Sequence, residues 1–245
     1  MRESDTVILM ELKKLTIFTA TQKSSIEETS LYKSIQKLSI DADVNLQCIE
    51  NNKEPLAVVY NEAMRNALED EVDALIFIHD DVWLEHDPVP NLRRLFDQYD
   101  LIGVAGASRI QIESPALWHL MAGGFDGGHL HGCVQHLSDI RCPSNDSEIY
   151  YSKPRTEFGP YPHRVVVIDG VFMAMKPVLM EEVKFDEECP SYYHFYDIIM
   201  SQRAHTQGFT VGVGDILITH ESPGLREFSP EWMSGEDYYL KWYGH

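Results

Sequence analysis

The 245-residue sequence has no long hydrophobic run. A membrane-spanning helix needs about 20 predominantly apolar residues in succession, and no segment approaches that length. The N-terminal stretch MRESDTVILMELKKL holds a short apolar patch followed by charge, which is not typical of a signal peptide. The sequence therefore predicts a cytoplasmic protein without a transmembrane segment.

Cysteine is also scarce. The four cysteines are Cys48, Cys133, Cys142 and Cys189, and none forms a C-x-x-C pair. This spacing indicates neither a zinc site nor a disulfide framework. Free thiols in a reducing compartment are the simplest interpretation.

Basic residues are few: the sequence has 20 of them and 39 acidic residues, which gives a net charge of -19. Such a surface repels nucleic-acid phosphates and anionic lipids, so we expect no nucleic-acid partner. An acidic protein that binds a diphosphate must neutralise its charge locally. A bound divalent cation would do this.

The composition is otherwise that of a globular protein, with 44% hydrophobic and 24% charged residues. This is enough apolar material for a sizeable core. The sequence shows no internal repeat and no low-complexity linker. We expect one domain spanning residues 1–245.

Strand and helix patterns alternate in the first half of the chain. Apolar runs predict strands over 15–20, 44–49, 75–78 and 101–105. Helical spacing predicts helices over 31–38, 56–67 and 92–99, with a capping box formed by Ser25 and Glu28 before the first. Strands separated by helices imply an α/β fold with a mostly parallel central sheet, whose ligands bind beyond the carboxyl ends of the strands.

The pattern breaks down between residues 106 and 163, which are rich in Gly, Pro, His and Ser. We predict a loop insertion here. Its segment 123–133 could be a metal-binding tract, but its spacing matches no known metal site, and a flexible loop over the active site is the preferred interpretation.

Beyond residue 163 the regular pattern returns. Strands are predicted over 165–168, 171–175 and 211–219, and a helix over 195–205 that ends at Gly208. The aromatic and acidic tail, residues 225–245, is expected to pack across the domain.

Asp80 and Asp81 follow the predicted strand 75–78 directly. Two adjacent carboxylates repel each other unless a cation or hydrogen bonds compensate them. They could hold Mg²⁺ or Mn²⁺ against phosphate oxygens, or simply cap the next helix.

Two further residues stand at ends of predicted elements. Asp197, in the first turn of a helix, could be a general base or an acid that favours the helix dipole. His220, after the last strand, could be a metal ligand or a structural histidine. Taken alone, each residue favours the structural interpretation.

Three segments together resemble family 2-type GT-A glycosyltransferases, and within them the glycosyltransferase-like group typified by a streptomycin-biosynthesis protein. LIFIHDDV at 75–82 is similar to the family's strand and D-x-D motif. DGVFMAMK at 169–176, followed by FDE at 185–187, is similar to its glycine-led strand and F-D-E sequence. FYD at 195–197, with Arg203 and Gly208, resembles its E-D segment.

The resemblance implies a GT-A, Rossmann-like three-layer fold, and a role for each matching residue. Asp81 and His220 would bind Mn²⁺ or Mg²⁺, and Asp197 would be the catalytic base of an inverting transfer. The residues implied to contact the nucleotide-diphospho-sugar are Thr19, Glu50, His79, Asp80, Asp169 and Gly170. A UDP-sugar is the favoured donor, and a saccharide or another hydroxyl compound the acceptor.

The chain departs from the family pattern at two positions within the matching segments. His79 replaces the first acid of D-x-D, and Tyr196 replaces the glutamate before Asp197. The Q-x-x-R-W motif of processive synthases is absent, so a single-sugar transfer is preferred over polymerisation. A non-catalytic nucleotide-sugar-binding module remains an alternative. A nucleotidyltransferase ranks last, because residues 19–24 hold one lysine and no glycine.

Overall fold

The computed structural model of the chain describes residues 11–110, 118, 128–141, 149–222 and 228–244. Within them the strands, in chain order, are β1 (Lys14–Ala20), β2 (Asp43–Ile49), β3 (Ala74–Ile78), β4 (Val82–Leu84), β5 (Leu101–Gly103), β6 (Ala105–Ala107), β7 (Leu130–His136), β8 (Ser138–Arg141), β9 (Ile149–Ser152), β10 (Arg155–Gly159), β11 (His163–Val165), β12 (Val167–Ile168), β13 (Phe172–Met175), β14 (Val211–Val213) and β15 (Ile218–His220). The helices are α1 (Ser30–Ile35), α2 (Leu56–Glu69), α3 (Val89–Leu95), α4 (Pro177–Glu182), α5 (Tyr196–Thr206) and α6 (Pro230–Trp242), and a 3-10 helix, Ile26–Glu28, precedes α1.

The larger sheet has seven strands in the order β11-β14-β5-β13-β3-β1-β2. Strand β1 is parallel to β2 and β3, and β14 is parallel to β5. Strand β13 is antiparallel to both β3 and β5, so β3 and β5 run the same way, and β11 is antiparallel to β14. Five of the seven strands thus share one direction. The mostly parallel sheet predicted from the sequence is confirmed.

Both faces of this sheet are covered. Along β3, Ala74, Ile76 and Ile78 join the hydrophobic cluster that contains residues of α1 and α3. Leu75 and Phe77 join the other cluster, which contains the apolar face of α2. Because successive side chains of a strand point to opposite faces, the sheet is the middle of three layers.

A second sheet lies at the carboxyl-end side of the first. Its strand order is β12-β6-β7-β15-β4, with β10 paired to β7. Strands β4 and β15 are antiparallel and place His220 opposite Val82. This sheet therefore brings the end of the last strand beside the turn that follows β3.

Two apolar runs predicted as single strands are each divided between the sheets. The run 101–105 becomes β5 in the first sheet and β6 in the second, and the run 211–219 becomes β14 and β15. At the first division a Cβ on Gly103 would lie 2.7 Å from the Ile168 side chain. Apolar residues suit either sheet, so hydrophobicity alone does not show where the chain changes sheet.

The stretch 106–163 differs from the predicted loop insertion in its described parts. These parts hold β7 to β10, and β7 pairs with β6, β10 and β15. Its polar residues and glycines conceal the strand pattern. Of segment 123–133, residues 123–127 lie outside the described residues, and His131 on β7 stacks on His163 with ring centroids 3.6 Å apart.

Other local predictions need smaller corrections. Ser25 accepts a hydrogen bond from the Glu27 backbone in the 3-10 helix, whereas Thr29 is the residue that caps α1, accepting from the Tyr32 backbone. Gly208 follows α5 with φ +91°, as the helix-end pattern predicted. In the tail, α6 buries Trp232 and Tyr239 in the core.

None of the helices in the described ranges is long and apolar enough to cross a membrane.

Candidate active site

A cleft of about 560 Å³ opens at the carboxyl ends of β1 and β3. This is the edge at which a largely parallel α/β sheet binds ligands. The cleft is lined by Ala20, Thr21, Gln22, Lys23, Asn52, Leu56, Tyr60, His79, Asp80, Asp81 and Tyr193.

Asp81 and two histidines form a cluster in this cleft. The turn His79-Asp80-Asp81 joins β3 to β4, and the pairing of β4 with β15 carries His220 to the same place. One ligand atom from each of His79, Asp81 and His220 lies within 4.8 Å of the other two. The sequence prediction named Asp81 and His220 as ligands and gave His79 to the nucleoside, so the cluster adds His79 to the candidate ligands.

The charges in this cluster are coupled. Burial alone would raise the pKa of Asp81, but the neighbouring His220 and His79 lower it below its usual value. Burial would lower the pKa of His220, but the Asp81 carboxylate raises it overall. The pKa of His79 is lowered by burial and by His220.

The donor atoms of this cluster fit a divalent cation. Oδ1 of Asp81 and Nε2 of His220 lie 3.2 Å apart, an ion pair when His220 is protonated, and neither of these buried atoms has any other partner among the described residues. Buried polar atoms are nearly always paired, so two that have only each other are suited to holding a cation between them. Two imidazoles and one carboxylate suit a transition metal better than Mg²⁺, which prefers oxygen ligands throughout.

Asp80 faces the cleft beside this cluster. Its Oδ2 accepts a hydrogen bond of 2.5 Å from the Thr21 hydroxyl and lies 3.9 Å from Lys23 Nζ. Its backbone oxygen accepts hydrogen bonds from the backbone N–H groups of Ser30 and Leu31 at the start of α1. Asp80 thus ties together β1, the turn after β3 and α1.

Asp197 is held against the glycine that follows β12. Its Oδ2 accepts from the Gly170 backbone at 2.8 Å, and its Oδ1 accepts from the Ile198 backbone at 2.9 Å. Burial and the nearby Asp169 raise the pKa of Asp197 to about 7. Asp169 is itself held by Trp118 Nε1, which donates to its Oδ2 at 2.8 Å.

Gly170 permits this close approach. A Cβ at Gly170 would lie 2.2 Å from the Tyr196 hydroxyl oxygen and 2.9 Å from the Asp197 Cβ. Phe195, the residue before α5, has φ +68°, a left-handed conformation that is strained for an aromatic residue. This turn directs Tyr196 and Asp197 together towards Gly170.

Tyr196 contacts the metal-ligand candidates directly. Its hydroxyl lies 2.7 Å from His79 Nε2. The two positions at which the sequence departs from the family pattern therefore form one hydrogen bond. Burial raises the pKa of Tyr196 far above its usual value, so the hydroxyl stays neutral and can accept the imidazole N–H.

Two of the predicted nucleotide-contacting residues lie away from the open cleft. The Thr19 side chain is fully buried, and the Glu50 Oε1 accepts a hydrogen bond of 2.7 Å from the Ile26 backbone. Their neighbours Thr21 and Asn52 line the cleft instead. Thr19 and Glu50 were predicted to line the pocket because each lies at the end of a strand.

Sequence reasoning missed the aromatic residues of the cleft. Tyr60 comes from the first turns of α2, and Tyr193 lies just before α5, where its hydroxyl accepts from Gln22 Nε2 at 3.1 Å. In the sequence, Tyr60 has the helical spacing of the apolar face of α2, and this spacing does not indicate a functional residue. The run of aromatic residues from 192 to 196 was the one signal that could have indicated Tyr193.

Comparisons with known proteins show the family and the fold of the chain. A family model described as "Glycosyltransferase like family" matches residues 16–224. The crystal structure of GalNAc-T7 with UDP, GalNAc and Mn²⁺ is similar at 10% identity and a TM-score of 0.52, over 91% of this chain and 47% of that one. The chain thus spans about half the length of that structure, and the likeness shows the fold, a GT-A-type three-layer α/β fold.

The structure of A197 from STIV matches 88% of this chain and 98% of its own at 11% identity, with a TM-score of 0.44. Among curated protein sequences, none matches the chain significantly.

Proposed function

Because the chain belongs to the glycosyltransferase-like family, we propose that it is a metal-dependent glycosyltransferase that moves one sugar from a UDP-sugar to an acceptor hydroxyl with inversion. The observation that carries this proposal is the cluster of His79, Asp81 and His220, in which the buried atoms of Asp81 and His220 have only each other as partners. The finer assignment to the streptomycin-type group, and a cytoplasmic location, are part of the same proposal.

Three side chains would hold the cation: Asp81 through a carboxylate oxygen, and His79 and His220 through ring nitrogens. We favour Mn²⁺ over Mg²⁺, because Mg²⁺ is bound almost entirely through oxygen ligands. The cation, when bound, neutralises the diphosphate and stabilises the charge that develops as it leaves. Ligation would require the neutral form of the His220 imidazole, which the neighbouring Asp81 carboxylate disfavours by raising its pKa.

Asp197 would act as the base. In the transfer, a bond forms between the acceptor oxygen and the anomeric carbon, and the bond from that carbon to the diphosphate oxygen breaks. The hydroxyl proton passes to the Asp197 carboxylate. A pKa of about 7 makes this carboxylate a stronger base than an exposed aspartate while leaving it largely ionised just above neutrality.

Asp80, Thr21 and Lys23 would bind the donor at the mouth of the cleft. The Lys23 ammonium is partly exposed and lies near Asp80, so it could contact the diphosphate. Tyr60 and Tyr193 offer aromatic surfaces for the base. Asp169 and Gly170, which adjoin Asp197, would border the donor sugar or the acceptor.

The direct test is a thermal-shift panel of UDP and UDP-sugars with and without Mn²⁺. A ligand present at 100 times its Kd stabilises the native state by about 2.7 kcal/mol. We expect UDP with Mn²⁺ to raise Tm more than either alone, and the active UDP-sugar to release UDP in the presence of an acceptor. No shift with any of them would refute the proposal. A shift without sugar transfer to any acceptor or to water would favour the non-catalytic binding module.

A further inference from the structure

A second and larger cavity lies outside the cleft. Its volume is about 860 Å³, and four elements surround it: one side of α2, the segment 184–188 after α4, α5 and α6. The α2 residues that face it include Asn61 and Arg65, one helical turn apart. We refer to this cavity as the α2–α6 groove.

Aromatic rings from α6 and the end of the chain form one wall of the α2–α6 groove. The hydroxyls of Tyr238 and Tyr243 both donate to Oδ2 of Asp186, which fixes the two rings. Trp242 is 58% exposed, and Lys241 Nζ lies 4.7 Å from the centre of its ring. A large exposed indole beside two anchored tyrosines is a ready surface for stacking.

Polar groups of both signs form the remaining walls. Asn61 Nδ2 donates to Glu187 Oε1 at 2.6 Å and to the Phe185 backbone oxygen at 3.0 Å. The Arg203 side chain is partly buried at the groove and has no hydrogen bond or ion pair among the described residues. A guanidinium donates hydrogen bonds and a carboxylate accepts them. The groove can therefore bind a hydroxyl group both as an acceptor and as a donor.

One layer of aromatic side chains separates the α2–α6 groove from the cleft. Phe185 lines the groove and Tyr60 lines the cleft, and their ring centroids are 5.3 Å apart. Tyr196, whose hydroxyl contacts His79, packs against the same two rings. A molecule in the groove would therefore lie close to the site without occupying it.

We propose that the α2–α6 groove binds a neutral saccharide, which is the part of the acceptor remote from the reacting hydroxyl. Stacking on Trp242 would hold the apolar face of a sugar ring, while Arg203 and Glu187 would bind its hydroxyls. The lining holds four acids, two of which are Asp186 and Glu188, against the three basic residues Arg65, Lys184 and Arg203, and this near balance of charge favours a neutral ligand. The role as acceptor site rests on the proposed glycosyltransferase function, whereas the binding itself does not.

The test uses the full chain and isothermal titration with trisaccharides of glucose, mannose and N-acetylglucosamine, with sialyllactose as the anionic comparison. We expect at least one neutral trisaccharide to bind, and Trp242→Ala to weaken its binding at least tenfold. Met233→Ala is the matched control, because Met233 is 57% exposed on the same helix but lies on its opposite side. Arg203→Gln should weaken the same binding severalfold.

The outcomes separate the two proposals. If no trisaccharide binds, if only sialyllactose binds, or if Trp242→Ala leaves binding unchanged, the saccharide groove is refuted. The Tm shift with UDP and Mn²⁺ should be equal in the wild type and Trp242→Ala. If that shift is absent from the wild type, the glycosyltransferase proposal fails, while a Trp242-dependent affinity for a trisaccharide would still establish the groove as a saccharide site.

Discussion

The cleft and the α2–α6 groove both contain carboxylates, but the two cavities differ in how those carboxylates are paired. In the cleft, Asp81 and His220 face each other with buried atoms that have no other partner in the described chain. In the groove, the carboxylate of Asp186 receives two tyrosine hydroxyls, and Glu187 is paired with Asn61. The contrast supports the cation proposed for the cleft, whereas the groove is already formed by its own contacts.

Asp81→Asn should have the largest effect, because it removes the only carboxylate of the trio His79, Asp81 and His220. We expect transfer activity to fall about a thousandfold or more and the Mn²⁺-dependent Tm shift to disappear, since the charge that develops on the leaving diphosphate is no longer neutralised. Sugar transfer and thermal shift with UDP and Mn²⁺ measure the two effects. Asp97→Asn, on an exposed position, should match the wild type. An unchanged Mn²⁺ response in Asp81→Asn would mean that the cation binds elsewhere.

Asp197→Asn should lower activity by roughly 10²- to 10⁴-fold, the usual contribution of a general base. It should also change how stability depends on pH. The pKa of Asp197 is about 7 when folded, against a usual value of 3.8, so its ionisation destabilises the fold progressively from about pH 4 to pH 7. Asp197→Asn does not lose this stability, because an amide does not ionise in that pH range.

The stability difference between Asp197→Asn and the wild type should therefore rise by about 2–3 kcal/mol from pH 5 to pH 8, since each pKa unit is worth about 1.4 kcal/mol. Denaturant unfolding at the two pH values measures this rise, and any constant cost of the amide cancels in the difference. Asp237→Asn, at an exposed position, should show no such rise. If the difference stays constant, the pKa of Asp197 is not raised.

A strand could be predicted from the sequence when its own residues form a clear pattern. It could not be predicted when it is defined only by pairing with distant strands. Strand β3 was predictable because all five of its residues are buried, which gives a continuous apolar run. Strand β7 was not, because the residues that pair with it are 20 or more positions away and its sequence, LHGCVQH, is mixed. Its identity as a strand comes from pairing with β6, β10 and β15, and no local pattern encodes that pairing.

The site follows the same rule. Asp81, Asp197 and His220 could be named because each stands at the end of a predicted element, where α/β sheets place ligands. The contact between His79 and Tyr196 could not, because it depends on the left-handed turn at Phe195. Thr19 was predicted to line the pocket, whereas Thr21 lines the cleft, because the end of a strand is uncertain by a residue or two.

Tyr196→Phe should show whether the Tyr196 hydroxyl positions His79 as a metal ligand. Loss of the hydroxyl leaves the His79 ring without its 2.7 Å partner, and such partners change metal affinity by about 10- to 100-fold. We expect Mn²⁺ to bind about tenfold more weakly, measured by thermal shift across a Mn²⁺ series with saturating UDP. Saturating Mn²⁺ should restore most of the activity.

Tyr239→Phe is the matched control for this variant. Its hydroxyl donates to Gln202 Oε1 at 2.6 Å inside the core, away from the cleft lining. Both variants should lose about 1 kcal/mol of stability with the hydrogen bond. An equal Mn²⁺ affinity in the two variants would show that the Tyr196 hydroxyl is merely structural.

Asn61→Ala should have the smallest effect on the chemistry, and it tests whether the groove is independent of the cleft. The Asn61 side chain donates to Phe185 O and Glu187, and its Oδ1 accepts from the Phe185 backbone N–H at 2.9 Å. Losing these contacts should reduce the free energy of unfolding by about 2 kcal/mol, because partly buried backbone groups lose their partners. Hydrolysis of the UDP-sugar by water should stay within about twofold of the wild type, while the Kd of the groove trisaccharide rises. If donor hydrolysis falls as far as trisaccharide binding, then the aromatic layer of Phe185 and Tyr60 couples the two cavities, and they do not act as separate sites.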